Sequence, residues 1–467
     1  MLLKYFYDSA LAHASYMVGC QRTGEAVIVD PGRDIQQYLD MAEQHGMRIT
    51  AVAETHIHAD YVSGAREIPD RVNATLYLSD EGPAEWKYQF ADQYPSVLVK
   101  DGDSFEIGNI KFDVMHTPGH TPESVSYVLT DVGGGANKPM GIFTGDFVFV
   151  GSIGRPDLLE EAAGVVGSAE EGAKQLYQSV LRFKQLPDYL QLWPAHGAGS
   201  ACGKGLGAIP SSTVGYEKLF NPALQFATET EFVQYILADQ PPAPAYFAIM
   251  KRVNKEGPKV IGETTPEFIN VEEMESALEN GTVVDVTSSS DFAAAHFPKS
   301  INLPIGSFAT WGGWLIDYTQ PLYFICDSAE AGELQRVAEK MGMDSLIGFF
   351  DSEHVTQSKL RTASYEQVDP SDIEQQIRDK QVDLFDVRSD AEWDSGHIAE
   401  AQHHFLGKLW ETGPGAIGNK PIVVQCLGGG RSAIGASILK SLGAKVINLR
   451  GGINAWRKAN LPTTKDA

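Results

Sequence analysis

Four times in the first two hundred residues, a run of strand length ends in a side chain that can bind a metal. ITAVAET runs into His56-Ile57-His58-Ala59-Asp60, and IKFDVM runs into His116-Thr117-Pro118-Gly119-His120. GIFTGDFVFVG carries Asp146, and LQLWPAHGAG delivers His196. Rigid strands commonly present functional side chains where they open into loops. Four such ends bearing His or Asp form a converging set. The fold must therefore bring the ends of several strands to one place. Within Thr55–Gly64, THIHADYVSG, two histidines one residue apart can aim both imidazoles at one point, with Asp60 joining or orienting them. That pattern seeds a metal site.

The surrounding sequence is α/β in character. LLKYFYD, ASYMVG and EAVIVDPG read as strands, the last closing at the turn Asp30-Pro31-Gly32, and a helix is expected over 34–46. At 467 residues the chain suggests roughly three domains. Its 61 acidic and 37 basic residues leave a net charge of −24, which argues against nucleic acid, whose binding needs clustered cations. A local basic pocket for an anionic substrate is compatible with that balance. Four cysteines, Cys20, Cys202, Cys326 and Cys426, make no disulfide framework in a chain of this length and fit a reducing compartment. The N-terminus lacks the pattern of a signal peptide. No apolar run approaches the ~18 residues that suggest a membrane span. A cytoplasmic protein without a membrane partner is expected.

Composition shifts at 239–266, proline-rich and then polar, which reads as a linker after a first domain of residues 1–238. Beyond it the chain repeats itself. Asp285 matches Asp386 and His296 matches His397 at an offset of 101, and Cys326 matches Cys426 at an offset of 100. Matching strand–loop–helix patterns at a steady offset indicate two copies of one α/β domain, expected at 267–362 and 366–467.

The second copy has a chemical site of its own. Cys426-Leu427-Gly428-Gly429-Gly430-Arg431-Ser432 follows the apolar strand PIVVQ and opens a helical run. Glycines let backbone N–H groups turn inward, and the helix N-terminus adds positive potential, so the loop can cradle an anionic sulfur on Cys426, with Arg431 closing it. In the first copy DSAEAG follows Cys326. It offers no glycine cradle and no arginine, and its acidic residues are expected to raise the thiol pKa. In the first domain, two histidines and one carboxylate with open positions opposite are the ligand pattern of non-haem Fe(II) oxygenases. His56, His120 and Asp146 can supply it.

THIHAD, HTPGHT, FTGD and PAHG, in that order, resemble the metallo-β-lactamase superfamily over about residues 1–235. The resemblance implies an αββα sandwich. Binuclear zinc members such as glyoxalase II carry a histidine directly after the Asp of the first motif; Tyr61 stands there in this chain, which points to a single metal. GDFVFVGSIGRPD resembles the persulfide dioxygenase branch. That implies one Fe(II) per chain on His56, His120 and Asp146, and oxidation of a low-molecular-weight thiol persulfide by O2 to sulfite. His58, Asp60 and His116 would then orient the ligands. Arg155 would meet a substrate carboxylate or phosphate, or pair with Asp157. His196 and Cys202 lie near the same motif, with Cys202 either a persulfide-handling thiol or a small buried residue.

Residues 366–467, with DVRSDAEWDSGHI, the six-residue loop Cys426–Arg431 and NLRGGINAW, resemble a rhodanese sulfurtransferase. That implies a persulfide on Cys426 and leaves Asp386, Arg388, Glu392 and His397 structural. The whole order resembles persulfide dioxygenase–sulfurtransferase fusions, with thiosulfate made from sulfite and a homo-oligomer expected. A zinc-dependent thioester hydrolase of glyoxalase II type fused to a rhodanese is the alternative.

Overall fold

The computed structural model describes residues 1–158, 160, 167–238, 240–358 and 360–465. Two compact units divide the chain: Met1–Thr264 with Glu339–Gly342, and Thr265–Ala338 with Met343–Ala467.

The first unit contains two six-stranded sheets. In one, the strands Leu2–Asp8, His13–Cys20, Glu25–Val29, Arg48–Ala53, Thr75–Ser79 and Ser96–Val99 lie side by side in chain order. In the other the order is Ser212–Thr213, Gln191–Pro194, Gly141–Gly145, Val125–Thr130, Ile110–His116 and Ser104–Ile107. Alternation along the strands divides their side chains between two cores. Tyr16 and Val18 face Phe112, Tyr127, Phe143 and Trp193 of the opposing sheet. Met17, between them, packs with Ile28, Val52 and Leu76 and with Tyr38 and Ala42 of the helix Gln36–Gln44. Ile142 and Leu192 on the far face pack with Leu176, Val180 and Phe183 of the helix Ser168–Phe183. The layers are therefore helix, sheet, sheet, helix, the αββα sandwich expected from the motifs.

Strand direction explains the convergence. Glu25–Val29 and Arg48–Ala53 are parallel, so Asp30 and Glu54–His58 leave the same sheet edge. Ile110–His116 and Gly141–Gly145 both run antiparallel to the strand between them, and Gly141–Gly145 is parallel to Gln191–Pro194. The segments carrying His120, Asp146 and His196 accordingly leave one edge of the second sheet.

The segment 239–266 differs from the expected linker. It contains the helix Tyr246–Glu256 and belongs to the first unit through Thr264. Asn254, 3% exposed, accepts from Ser63 N–H at 2.9 Å and donates from Nδ2 to the carbonyls of His58 at 2.8 Å and Tyr61 at 2.7 Å. Its composition hid this role, because a proline-rich entry masks a short helix that buries Tyr246, Phe247 and Met250 beside Asn254.

The second unit contains two parallel sheets. One is ordered Ile301–Asn302, Thr282–Asp285, Leu322–Cys326, Leu346–Asp351; the other Glu366–Val368, Val446–Leu449, Ile422–Gln425, Asp383–Asp386, Ala401–His403. These are the two repeats. Together they make up the second unit. The helix Gly430–Ser441 is buried continuously from Ser432 to Leu439, as expected of a helix covered all round. Asn302 N–H of the first copy donates to its Ser437 Oγ at 2.9 Å.

Replacing Asn254 with Ala strands one buried N–H and two carbonyls beneath the His58 loop. The expected cost is about 1–3 kcal/mol, read as a lower denaturation midpoint for the first unit. An unchanged midpoint would mean that the helix does not brace this loop.

Candidate metal centre and cysteine loop

Asp30, at the end of Glu25–Val29, adopts φ = +51°, a conformation in which Asp is among the enriched non-glycine residues. Its Oδ1 accepts Thr55 N–H at 2.7 Å, and its Oδ2 accepts the Thr55 hydroxyl at 3.0 Å. The single Thr55 proton goes to Asp30, so Thr55 Oγ1 accepts from His56 Nδ1, 2.9 Å away. His56 Nε2 is left as a lone pair. His120 Nδ1 lies 3.0 Å from the Arg155 carbonyl and His196 Nδ1 lies 3.2 Å from the Ala12 carbonyl. Carbonyls only accept, so both rings carry their proton on Nδ1 and also present Nε2 lone pairs.

All three lone pairs face Asp146. Its Oδ2 is 3.7 Å from His56 Nε2 and 3.5 Å from His120 Nε2, and its Oδ1 is 3.3 Å from His196 Nε2. Every one of these residues is at most 3% exposed. His56 Nε2, His196 Nε2 and both Asp146 oxygens have no hydrogen-bond partner among the described residues. Burial, reinforced by the neighbouring imidazoles, pushes the His56 pKa well down, and burial lowers His120. A cation between these nitrogens and the carboxylate would satisfy donors that find no partner among the described residues. The donor set fits a metal ion.

His56, His120 and Asp146 form one group of donors within 4.8 Å of one another. A second group, His58, Asp60 and His196, meets the same criterion, as does a third of Asp146, His196 and Cys202. Asp60 Oδ2 lies 3.2 Å from His196 Nε2. His58 is differently placed. Its Nε2 is 3.2 Å from Asp30 Oδ1 and 3.3 Å from Glu54 Oε2. Burial opposes charge on His58, but the two carboxylates outweigh it and raise its pKa well above the usual imidazole range. Tyr61 packs between His13 and His58, with ring centroids 3.8 and 4.6 Å away, and its hydroxyl donates to the Asp30 carbonyl at 3.4 Å. Cys202 is 1% exposed, and burial, then Asp60 and Asp146, push its thiol pKa well up.

One expectation needs correction, and one alternative is decided. His116 is not brought to the cluster: its Nε2 bonds the Pro122 carbonyl at 2.9 Å on the other side of its loop. Of the two roles expected for Arg155, the structure shows the pair with Asp157: the side chain is fully buried, and its guanidinium is occupied by Asp157, at 3.2 and 2.5 Å, and by the carbonyls of Ala201 and Pro241. No side remains for a substrate anion. It instead locks the loop whose carbonyl orients His120.

Glycines make room for this centre. A Cβ on Gly145, at φ = +53°, would strike Thr55 Oγ1, and one on Gly154 would overlap the Asp146 carbonyl. Asp30, Glu54, Glu123 and His13 are functional neighbours that the sequence reading missed. Glu123 Oε1 accepts the N–H of Ile57, between His56 and His58, at 2.7 Å. Burial holds Glu123's pKa at about 7. A signal existed for Asp30, since Asp-Pro-Gly ends a strand that precedes the metal motif.

In the second unit, Cys426 follows Ile422–Gln425 and is 1% exposed. Gly429 N–H donates to its sulfur at 3.1 Å, and Ser432 Oγ lies 3.6 Å away. Gly429 needs its φ of +99°, since a Cβ would also press the Gly451 nitrogen. Arg431 does not close over the sulfur. Its guanidinium forms a fork with Glu392, at 2.6 and 2.7 Å. Glu392 also closes a capping box with Ser389. Arg431 beside it holds Glu392's pKa at about 2. Around Cys326 in the first copy, burial, then Glu330 and Asp327, push the thiol to about 12, as the sequence led one to expect.

Family models match on both units: the metallo-beta-lactamase superfamily over residues 9–196, and the rhodanese-like domain over 270–351 and 369–459. A crystal structure of a metallo-beta-lactamase from Staphylococcus aureus subsp. aureus COL is 41% identical, covering 75% of this chain and 98% of its own, with a TM-score of 0.68. The chain belongs to the metallo-β-lactamase superfamily. Rhodanese-like domains follow the metallo-β-lactamase domain. A beta-lactamase hydrolase-like protein of Xylella fastidiosa is 29% identical over 254 residues, 49% of this chain and 53% of its own. The mitochondrial persulfide dioxygenase ETHE1 of Bos taurus is 28% identical over 239 residues, 50% of this chain and 80% of its own. The chain thus spans about half the length of the Xylella relative. Among the described residues, no helix is long and apolar enough to cross a membrane.

The Arg431–Glu392 fork sets a pH dependence. Glu392's pKa is lowered from 4.5 to about 2, so its stabilisation is full above pH 4.5 and is lost as pH falls towards 2. Melting curves of the protein and of Glu392→Gln are expected to differ by a constant amount above pH 4.5 and to converge below it. A difference that is flat down to pH 2 would contradict the fork.

Proposed function

We propose that the first unit holds one ferrous ion on His56, His120 and Asp146 and oxidises a low-molecular-weight thiol persulfide with O2, and that Cys426 transfers sulfane sulfur. The observation that carries the metal half is the set of three buried imidazole lone pairs turned onto one unpaired carboxylate. The likeness to a persulfide dioxygenase over half of the chain supports the substrate class. Two histidines and a carboxylate leaving open positions suit ferrous iron.

Held by His56, His120 and Asp146, a ferrous ion would supply the redox chemistry that O2 requires. The overall balance is RSSH + O2 + H2O giving RSH, SO3²⁻ and two protons. The chain's own residues do the rest. Asp30 and Thr55 fix the His56 tautomer, the Arg155 carbonyl fixes His120, and Glu123 anchors the backbone between His56 and His58. Such outer partners keep ligands in position. At the second site the Cys426 thiolate attacks the outer sulfur of a persulfide, releasing RSH and leaving the enzyme persulfide. Sulfite then takes that sulfur as thiosulfate and restores the thiolate. Gly429 N–H and Ser432 Oγ face the reacting sulfur, while Arg431 steadies the loop from Glu392. Covalent attachment of both activities raises the effective concentration of the shared sulfite.

One observation favours a second reading. His58, Asp60 and His196 form a second group of donors, and His196 Nε2 faces both Asp146 Oδ1 and Asp60 Oδ2, which would suit a second metal. That supports a zinc-dependent thioester hydrolase of glyoxalase II type. Against it, Tyr61 occupies the position of a further ligand with its hydroxyl on the Asp30 carbonyl.

Oxygen uptake with a glutathione or coenzyme A persulfide is expected from iron-loaded protein, and Asp146→Asn is expected to reduce it by more than about 100-fold, the upper end even for an outer partner. No persulfide-dependent uptake, or thioester hydrolysis with two zinc ions per chain, would reject the iron reading. Cys426→Ser is expected to leave O2 uptake intact while the product changes from thiosulfate to sulfite. Identical products from the two proteins would reject the transfer step.

A further inference from the structure

The two rhodanese-like copies differ sharply at the end of one strand. In the second copy, Asp386 grips Arg388: Nε lies 2.9 and 3.0 Å from the two carboxylate oxygens, and Nη2 lies 2.6 Å from Oδ2. Arg388 is 1% exposed. Its Nη1 donates to the Glu392 carbonyl at 2.9 Å and its Nη2 to the Gly396 carbonyl at 3.0 Å. A guanidinium thus fills a buried cradle of one carboxylate and two carbonyls.

In the first copy the buried carboxylate persists, the arginine beside it is gone, and the Asp291 carbonyl is taken by another side chain. Asp285 ends the matching strand and is 3% exposed, but Thr287 stands at the position of Arg388. Thr287 donates its N–H and its hydroxyl to Asp285 Oδ1, at 2.9 and 2.5 Å. Asp285 Oδ2 accepts no hydrogen bond among the described residues. The missing side chain leaves space. A cavity of about 600 Å3 is lined by Asp285, Thr287, Asp291, Ala295, Glu353 and Arg361, among others. Asp291 and Ala295 are the counterparts of Glu392 and Gly396, whose carbonyls hold the guanidinium in the second copy.

Arg361 enters from another segment. It donates from Nη2 to the Asp291 carbonyl at 3.0 Å and from Nη1 to Thr356 Oγ1 at 3.3 Å, and its buried Nε has no partner. It does not restore the lost fork with Asp285. Burial, ahead of any neighbour, raises the Asp285 pKa, consistent with a carboxylate lacking its cation. The cavity therefore offers an open carboxylate oxygen at one point and the Arg361 side chain, its one cationic lining residue among those described, at another. Its acidic lining disfavours sulfite or thiosulfate.

We propose that this cavity binds a small guanidino acid, its guanidinium seated on Asp285 as Arg388 is seated on Asp386 and its carboxylate on Arg361. A planar fork on a carboxylate is the geometry that separates a guanidinium from an ammonium. The site serves neither the metal centre nor Cys426, and gives the copy without a reactive cysteine a binding role.

Calorimetry on the full chain with L-arginine tests this directly, with L-citrulline as the uncharged isostere. Saturable binding of one arginine per chain is expected, with citrulline weaker by about 10–100-fold and Asp285→Asn weaker by a similar factor, the range for a hydrogen bond to a charged group. Thr287→Arg rebuilds the ion pair of the second copy. It is expected to abolish arginine binding while raising the melting temperature, which keeps the test decisive if Asp285→Asn folds poorly. No saturable binding at millimolar arginine, or equal isotherms for the protein and Thr287→Arg, would overturn the proposal.

Discussion

The Asp146 carboxylate, with three imidazole lone pairs turned towards it from three other strand ends, is the interaction on which the first unit depends. Each nitrogen is held 3.3–3.7 Å from a carboxylate oxygen by bonds made elsewhere. The Thr55 hydroxyl, the Arg155 carbonyl and the Ala12 carbonyl each take the Nδ1 proton of one ring. The outer shell therefore fixes the tautomers, and the tautomers define the place for a cation. The rest of the fold follows as support. Both sheets send the required strand ends to one edge, and glycines at 145 and 154 let the loops approach closely.

Support of this kind extends well beyond the metal motif. Asp30 orders Thr55 and His58 from a neighbouring strand, Glu123 anchors Ile57, and Asn254 caps the loop carbonyls from a helix two hundred residues later. All are buried polar groups, whose bonds must be made within the protein. The second unit uses the same economy of parts. Glu392 caps a short helix and also fixes Arg431, so one carboxylate couples the Asp386 region to the Cys426 loop.

Much of this was legible in the sequence where local pattern and chemistry coincide. Strand ends at His56, His120, Asp146 and His196, the repeat at an offset of 101, and the glycine-rich Cys426 loop are all local signals, and each marks a real feature of the fold. His116 and Arg431, and the choice left open for Arg155, show where that reading runs out. A motif reveals which residues are near a site, but not whether a guanidinium is already occupied by a carboxylate such as Asp157 or Glu392. Asn254 was hidden for a related reason: its partners are backbone groups, which leave no trace in composition. Thr287 was visible as a departure from the repeat, but its consequence, an open carboxylate above a cavity, needed the packing.

Anomalous diffraction at the iron edge from crystals of iron-loaded protein tests the central claim most directly. The account predicts one strong peak about 2 Å from His56 Nε2, His120 Nε2 and the Asp146 carboxylate. A peak only on the side of His58, Asp60 and His196, or no peak beside Asp146, would contradict it.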